Sequence, residues 1–213
     1  MIVMQPVVEI VAPDAFGLWP VAEVERFGFQ SLSGKLSPAE VGTAVMGIIR
    51  CNDTEPDGDH PPRPTDPLSS FLHGLLTLDP LFAAGGLRVS DTSTGVTFLP
   101  GCCDGLEDWR DWHRLINDGG SLWFGHDPMS PLAERIGDTV RLTVDTCRHD
   151  SPLIELPVTE LVHLLADAER DLADFLTLAA DWAPAHVPDH IDSVTAALAR
   201  LFGLPAPASP PKA

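Results

Sequence analysis

Basic residues are scarce in this chain: 13 Lys and Arg stand against 31 Asp and Glu, a formal charge of −18 over 213 residues. A surface of that sign repels phosphate backbones, so direct nucleic-acid binding is not expected. Long apolar runs are missing too. No stretch of 18 or more apolar residues occurs, so none has the length of a membrane-spanning helix and no membrane contact is expected. The opening segment, MIVMQPVVEIVAPDAF, has no Lys or Arg ahead of its apolar residues and carries Glu9 inside them. A secretory signal needs a basic start and an unbroken apolar middle, so the expected location is cytoplasmic. There the four cysteines, Cys51, Cys102, Cys103 and Cys147, are expected as thiols.

Motifs for familiar chemistries are also lacking. The chain holds no G-x-S-x-G elbow, and neither a P-loop nor a G-x-G-x-x-G. No catalytic residues are assigned on this basis. No internal repeat appears, and no linker is rich enough in Gly, Ser or Pro to separate one domain from another. The expectation is one α+β domain over residues 1–204, with 205–213 as a disordered tail.

What is present is enough apolar material for a core: 44% of the residues, close to the globular average of about 45–50%. The negative charge is spread along the chain, with 12 acidic and 5 basic residues in 1–100 and 19 and 8 in 101–213. Such a field keeps a protein soluble. It also steers a basic partner inward, at rates that fall as salt rises.

Residues 2–11 are β-branched and apolar and predict a strand, and a second short strand is predicted over 21–29. Ser37-Pro38-Ala39-Glu40 reads as a capping box with Pro at the first helical position. Val41, Ala44, Val45, Ile48 and Ile49 follow at helical spacing, which predicts a helix over 37–50. A second helix opens at Asp66-Pro67 and carries Leu68, Phe71, Leu72, Leu75 and Leu76. Residues 87–89 and 96–99 flank DTSTG as a hairpin. After the turn Pro100–Gly105 comes a helix with Leu106, Trp109, Trp112, Leu115 and Ile116 on one face, ended by Gly119-Gly120. Residues 121–125 and 138–145 predict strands. The last third is helical: an amphipathic run over 158–182, then 189–202 ending at Gly203, separated by Pro184 and Pro188. These two predict a C-terminal helical hairpin, 158–203. Segregated strands and helices predict α+β, a mostly antiparallel sheet packed by helices.

Three constellations carry candidate chemistry. Cys102, Cys103, His126 and Asp127 bring two thiols, an imidazole and a carboxylate into one short stretch, a candidate zinc or thiol centre. Zinc favours ligand pairs spaced C-x₂₋₄-C, and adjacent cysteines fit that poorly, so packing of both thiols beneath the turn stands as the alternative. Trp109, Trp112 and Trp123 form a candidate aromatic pocket, although their helix and strand positions suit core packing equally. The acids Asp53, Glu55, Asp57 and Asp59 alternate in a proline-rich loop, while Glu107, Asp108 and Asp111 follow one another on the Trp-rich helix. An EF-hand loop would need Glu at position 12; counted from Asp53, that position is Pro64. These seven acids are candidate contacts for a basic protein partner.

The segment LPGCCDGLEDWRDWHRLINDGGSLWFGHDP, residues 99–128, resembles segments of actinobacterial proteins with a Gly-Cys-Cys turn, a Trp-rich helix and a Gly-His-Asp-Pro strand end. That resemblance brings no activity with it. Asn117-Asp118-Gly119-Gly120 after a helix, followed by a strand with Trp123, is similar to the SUKH group of toxin-immunity domains. This second resemblance implies an immunity protein that neutralises a basic toxin. Three function classes therefore stand open. One is an acidic protein-binding module of that kind. Another is a metal- or thiol-dependent enzyme centred on Cys102, Cys103, His126 and Asp127, with zinc as the cofactor to look for. The third is an accessory subunit that docks another protein or a second copy of itself through the C-terminal helices.

Overall fold

The computed structural model describes residues 1–11, 15–25, 27–54, 61–101, 104–125 and 129–207. The fold is α+β, with 42% of residues in helices and 22% in strands. Its strands are β1 (Ile2–Ile10), β2 (Gly28–Ser31), β3 (Gly85–Asp91), β4 (Val96–Phe98), β5 (Ser121–Trp123), β6 (Leu132–Ile136), β7 (Thr139–Thr143) and β8 (Leu153–Pro157). They form two four-stranded antiparallel sheets, ordered β2-β1-β3-β4 and β5-β6-β7-β8. The chain divides into two compact units: Met1–Val7 with Ala84–Asp171, and Val8–Ala83 with Leu172 onward. It passes from one to the other within strand β1 (Ile2–Ile10) and again within helix α4 (Val158–His186).

In the first unit, β3 (Gly85–Asp91) and β4 (Val96–Phe98) form the expected hairpin, with Val89 opposite Phe98. Asp91 closes the turn, accepting from the Ser93 amide at 2.9 Å, the Ser93 hydroxyl at 2.7 Å and the Thr94 hydroxyl at 2.9 Å. The Trp-rich segment begins as a 3-10 turn, Leu106–Asp111, before becoming helix α3 (Trp112–Asn117). The second sheet comprises β5 (Ser121–Trp123), β6 (Leu132–Ile136), β7 (Thr139–Thr143) and β8 (Leu153–Pro157). Ala133, Val140, Leu142, Ile154 and Leu156 are buried. On the opposite face Glu134 pairs with Arg141 and Arg141 with Glu155 along one register row. Neither β6 nor β8 is among the strands expected from sequence, because Glu134-Arg135 in β6, and Pro152 before β8 with Pro157 at its end, mask their alternation.

In the second unit the capping box at Ser37 forms as expected. Ser37 Oγ accepts from the Glu40 amide, Glu40 Oε2 accepts from the Ser37 amide at 2.7 Å, and helix α1 (Pro38–Cys51) follows. Helix α2 (Pro67–Thr77) starts at Asp66, whose carboxylate accepts from the Ser69 amide at 2.9 Å. The two helices meet where Gly74 faces the main chain of Asn52. Asn52 is only 2% exposed and is fully used: Nδ2 donates to the Ile48 and Phe82 carbonyls, and Oδ1 accepts from the Phe82 amide.

Two sequence expectations are corrected here. The strand expected over 21–29 is instead β2 (Gly28–Ser31), because Phe27 takes a positive φ of 62° and reverses the chain just before it. The Ala22 amide bonds the Thr43 hydroxyl at 2.8 Å rather than a strand. Helix α4 does not stop at Trp182 but absorbs Pro184 and runs to His186. A proline costs its own amide bond, and here it sits so close to the end that the helix finishes within a turn. Helix α5 (Ile191–Phe202) ends at Gly203, whose left-handed φ of 63° suits glycine. As expected, α4 and α5 pack as a hairpin, with Phe175 edge-on to Phe202 at 6.1 Å. The tail expected to be disordered lies mostly outside the described residues.

Candidate acidic cleft

Within the first unit, the 3-10 turn 106–111, α3 and β5 surround a cleft of about 130 Å³. The 3-10 and helical turns that carry Leu106, Trp109, Trp112 and Leu115 bury that face. Trp109 and Trp112 are 1% and 2% exposed and form the cleft's inner wall. Trp112 leans against Phe124 at 5.3 Å, and both meet Phe98, at 6.1 and 5.5 Å. Arg110 lies 4.3 Å over the Trp109 ring and reaches Glu169 at 3.0 Å. The wall is therefore held from behind by core contacts and from the side by a cation over an aromatic face.

Trp123 behaves differently. On β5, Ser121 and Trp123 alternate with Leu122, and the pleat turns Trp123 outward, 62% exposed. Core packing is thus right for Trp109 and Trp112 and wrong for Trp123, which stands at the cleft's edge.

Three carboxylates line the same cleft: Asp104, Asp108 and Asp111. Asp104 is the one that sequence reasoning missed. Its Oδ2 accepts from the Gly101 amide at 2.6 Å, and the Gly125 amide also bonds it. A Cβ on Gly101 would fall 2.4 Å from the Gly125 Cα and 2.6 Å from Asp104 Oδ2, so only glycine fits there. Burial pushes the Asp104 carboxyl above the ordinary range; the two amide bonds oppose that rise, and the neighbouring charge of Asp108 adds to it. An Asp within a glycine turn is the available sequence signal, but Gly125 lies too far along the chain to be read. Asp111 sits 3.7 Å from Arg114, both largely exposed.

The expected partner contacts divide. Asp108 and Asp111 line the cleft, and Glu107 stands next to them on the same turn. Asp53 is instead engaged by Arg63 at 2.5 Å, with Thr54 holding the other guanidinium nitrogen. Glu55, Asp57 and Asp59 lie outside the described residues, as do Cys102, Cys103, His126 and Asp127. Among the described residues, no group of three or more His, Cys, Asp or Glu side chains is placed to hold a metal ion, and no helix is long and apolar enough to cross a membrane. Comparison with family models, with curated proteins and with solved structures finds no match to the chain.

Proposed function

We propose that this chain is an acidic protein-binding module, of the kind that occludes a basic toxin, and that its partner docks over the acidic cleft. The observation that carries the reading is the pairing of an exposed Trp123 with three carboxylates around a cleft walled by buried tryptophans. Exposed aromatic side chains beside a pocket are the residues that dominate binding energies at protein interfaces. Carboxylates at the rim set the approach and orientation of a basic partner. The formal charge of −18 extends the same field over the whole surface.

The test is affinity capture with the full chain as bait, eluted by a salt gradient and read by mass spectrometry, then repeated with the purified partner by calorimetry. A basic protein held by the native chain and released by salt is expected. Trp123→Ala should weaken that purified pair at least tenfold and leave the bait's melting temperature unchanged. Equal binding by Trp123→Ala and by Asp108→Asn/Asp111→Asn would sink the reading.

One observation favours a second reading, metal or thiol chemistry. The backbones of Gly101 and Gly125 meet, and Asp104 bonds both, so the residues flanking Cys102-Cys103 and His126-Asp127 are neighbours. Zinc content of the purified chain tests this. One equivalent, lost on Cys103→Ala, would favour it over the binding module; none would remove it.

A further inference from the structure

In the second unit a groove of about 320 Å³ lies between the first turn of α1 and the last turns of α4. Its volume falls at the small end of the roughly 300–1,000 Å³ typical of small-molecule sites. Leu36, Pro38 and Val41 line one side, Leu178 and Ala185 the other. On α4, Leu178, Asp181, Trp182 and Ala185 follow the spacing that gathers side chains on one helix face.

Three polar groups interrupt this apolar lining. Asp181 contributes an exposed carboxylate. Trp182 is 6% exposed, and its Nε1 has no hydrogen-bond partner. His186 stacks on the Trp182 ring at 4.4 Å, nearly parallel, and its Nδ1 lies 2.9 Å from the Trp182 carbonyl oxygen. A carbonyl only accepts, so Nδ1 carries a hydrogen there.

The wall behind is fixed. Trp182 meets Trp19 at 5.2 Å, and Trp19 donates to the Gly42 carbonyl at 2.9 Å while packing on Phe16 and Phe71. Gly42 admits this arrangement because a Cβ would fall 2.5 Å from the Pro20 carbonyl oxygen. A buried N–H left without an acceptor is costly, and it is the one group of this aromatic cluster that packing does not satisfy.

We propose that this groove binds a small organic amine. Its apolar body lies against Leu36, Val41 and Leu178, its ammonium faces Asp181, and an oxygen on the same molecule accepts from Trp182 Nε1. That nitrogen is fully covered, so the oxygen reaches it only when a side chain of the lining moves aside. Charge selects the class: the lining offers a carboxylate and no Lys or Arg, and the net charge of −18 concentrates cations at the surface. This site is separate from the acidic cleft and does not depend on it.

Tyramine is the probe, with 4-hydroxyphenylacetate as an anion of matched shape, added to the ¹⁵N-labelled full chain. The five tryptophans give five indole N–H resonances, and Trp182→Phe identifies the one of interest. Tyramine should move that resonance downfield and saturate in the millimolar range, while the anion leaves it in place. Asp181→Asn should weaken tyramine about two- to fivefold, the range of an exposed charge pair. Ala185→Phe, at an exposed position, should fill the groove and abolish the shift while the other indole signals stay put. If Trp182→Phe fails to fold, the added ring of Ala185→Phe identifies the resonance instead. No saturable shift with tyramine, an equal response to the anion, or undiminished binding by Ala185→Phe would each overturn the proposal.

Discussion

Gly74→Ala should unfold this protein more easily, although it replaces glycine with the best helix former in the middle of α2. Propensity alone favours the change by about 1 kcal/mol. The structure opposes it, because the new Cβ would fall 1.7 Å from the Asn52 carbonyl oxygen and 2.8 Å from its carbon. Carbon and oxygen in contact need about 3.3 Å, so the end of α1 and the middle of α2 must move apart by roughly 1.5 Å. Asn52 cannot follow without loosening its bonds to Phe82, at 2.8 and 3.0 Å. Overpacking costs about 1–3 kcal/mol, and two strained buried hydrogen bonds about 1 kcal/mol each. Less the propensity gain, the net loss is about 2–4 kcal/mol. For a chain of this size that is a fall in melting temperature of roughly 4–16 °C. Urea titration followed by far-ultraviolet circular dichroism measures it, with Gly17→Ala as control, since no atom lies within 4 Å of a Cβ there. The clash is with the main chain, so Asn52→Ala must not rescue it. A Gly74→Ala variant as stable as the native chain would refute the close approach of the two helices.

Ser37→Ala should cost about 1 kcal/mol, the usual loss for an N-cap, read as a lower urea midpoint with an unchanged slope. Asp91 and Asp104 predict opposite pH dependences. The Ser93 and Thr94 bonds lower the Asp91 carboxyl, so its contribution is full above the unfolded value near 3.9 and fades as acid protonates the folded form. Asp91→Asn should therefore narrow the stability gap to the native chain as pH falls below 4; a gap that stays constant would count against it. Burial raises the Asp104 carboxyl, so its contribution is full below about 3.9 and is lost as pH climbs through the raised folded value. In the acid range where the folded carboxyl is still protonated, a cationic partner group entering the cleft should release a proton, which calorimetry in buffers of differing ionisation enthalpy detects; buffer-independent heats across that range would exclude Asp104 from the contact.

How far the sequence could be read depended on whether each determinant was local. The Ser37–Glu40 box, the Gly203 stop and the period of α4 lie within a few residues of what they control, and all are found as expected. Trp109, Trp112, Asp108 and Asp111 were legible as one segment because a single turn brings them together. Phe27 was not, since a positive φ in a bulky side chain has no sequence signature. β6 and β8 were hidden because their exposed faces mix charge with apolar residues, and only pairing with β7 reveals which face is buried. Asp104 escaped because its second amide comes from Gly125, and the Trp19–Trp182 contact joins residues at opposite ends of the chain. Trp123 shows the converse error: a large aromatic in a strand suggests a core, yet the pleat turns it outward.

The distribution of the positive charge sharpens the binding reading. Among the described residues, Arg63, Arg110, Arg114, Arg141, Arg148 and Arg170 are paired with carboxylates. Arg135 is taken up by the Leu115, Ile116 and Gly137 carbonyls. An approaching partner meets a field set by the excess of carboxylates, 31 Asp and Glu against 13 Lys and Arg, and that field acts over about a Debye length, some 8 Å at physiological salt. Trp123 acts only on contact. The two roles should separate in kinetics: neutralising Asp108 and Asp111 should lower the association rate and flatten its salt dependence, whereas Trp123→Ala should raise the dissociation rate and leave the salt slope alone. Stopped-flow association over a salt series distinguishes them. If Trp123→Ala instead altered the slope, the tryptophan would be shaping the field rather than the contact, and the cleft would not be the docking point.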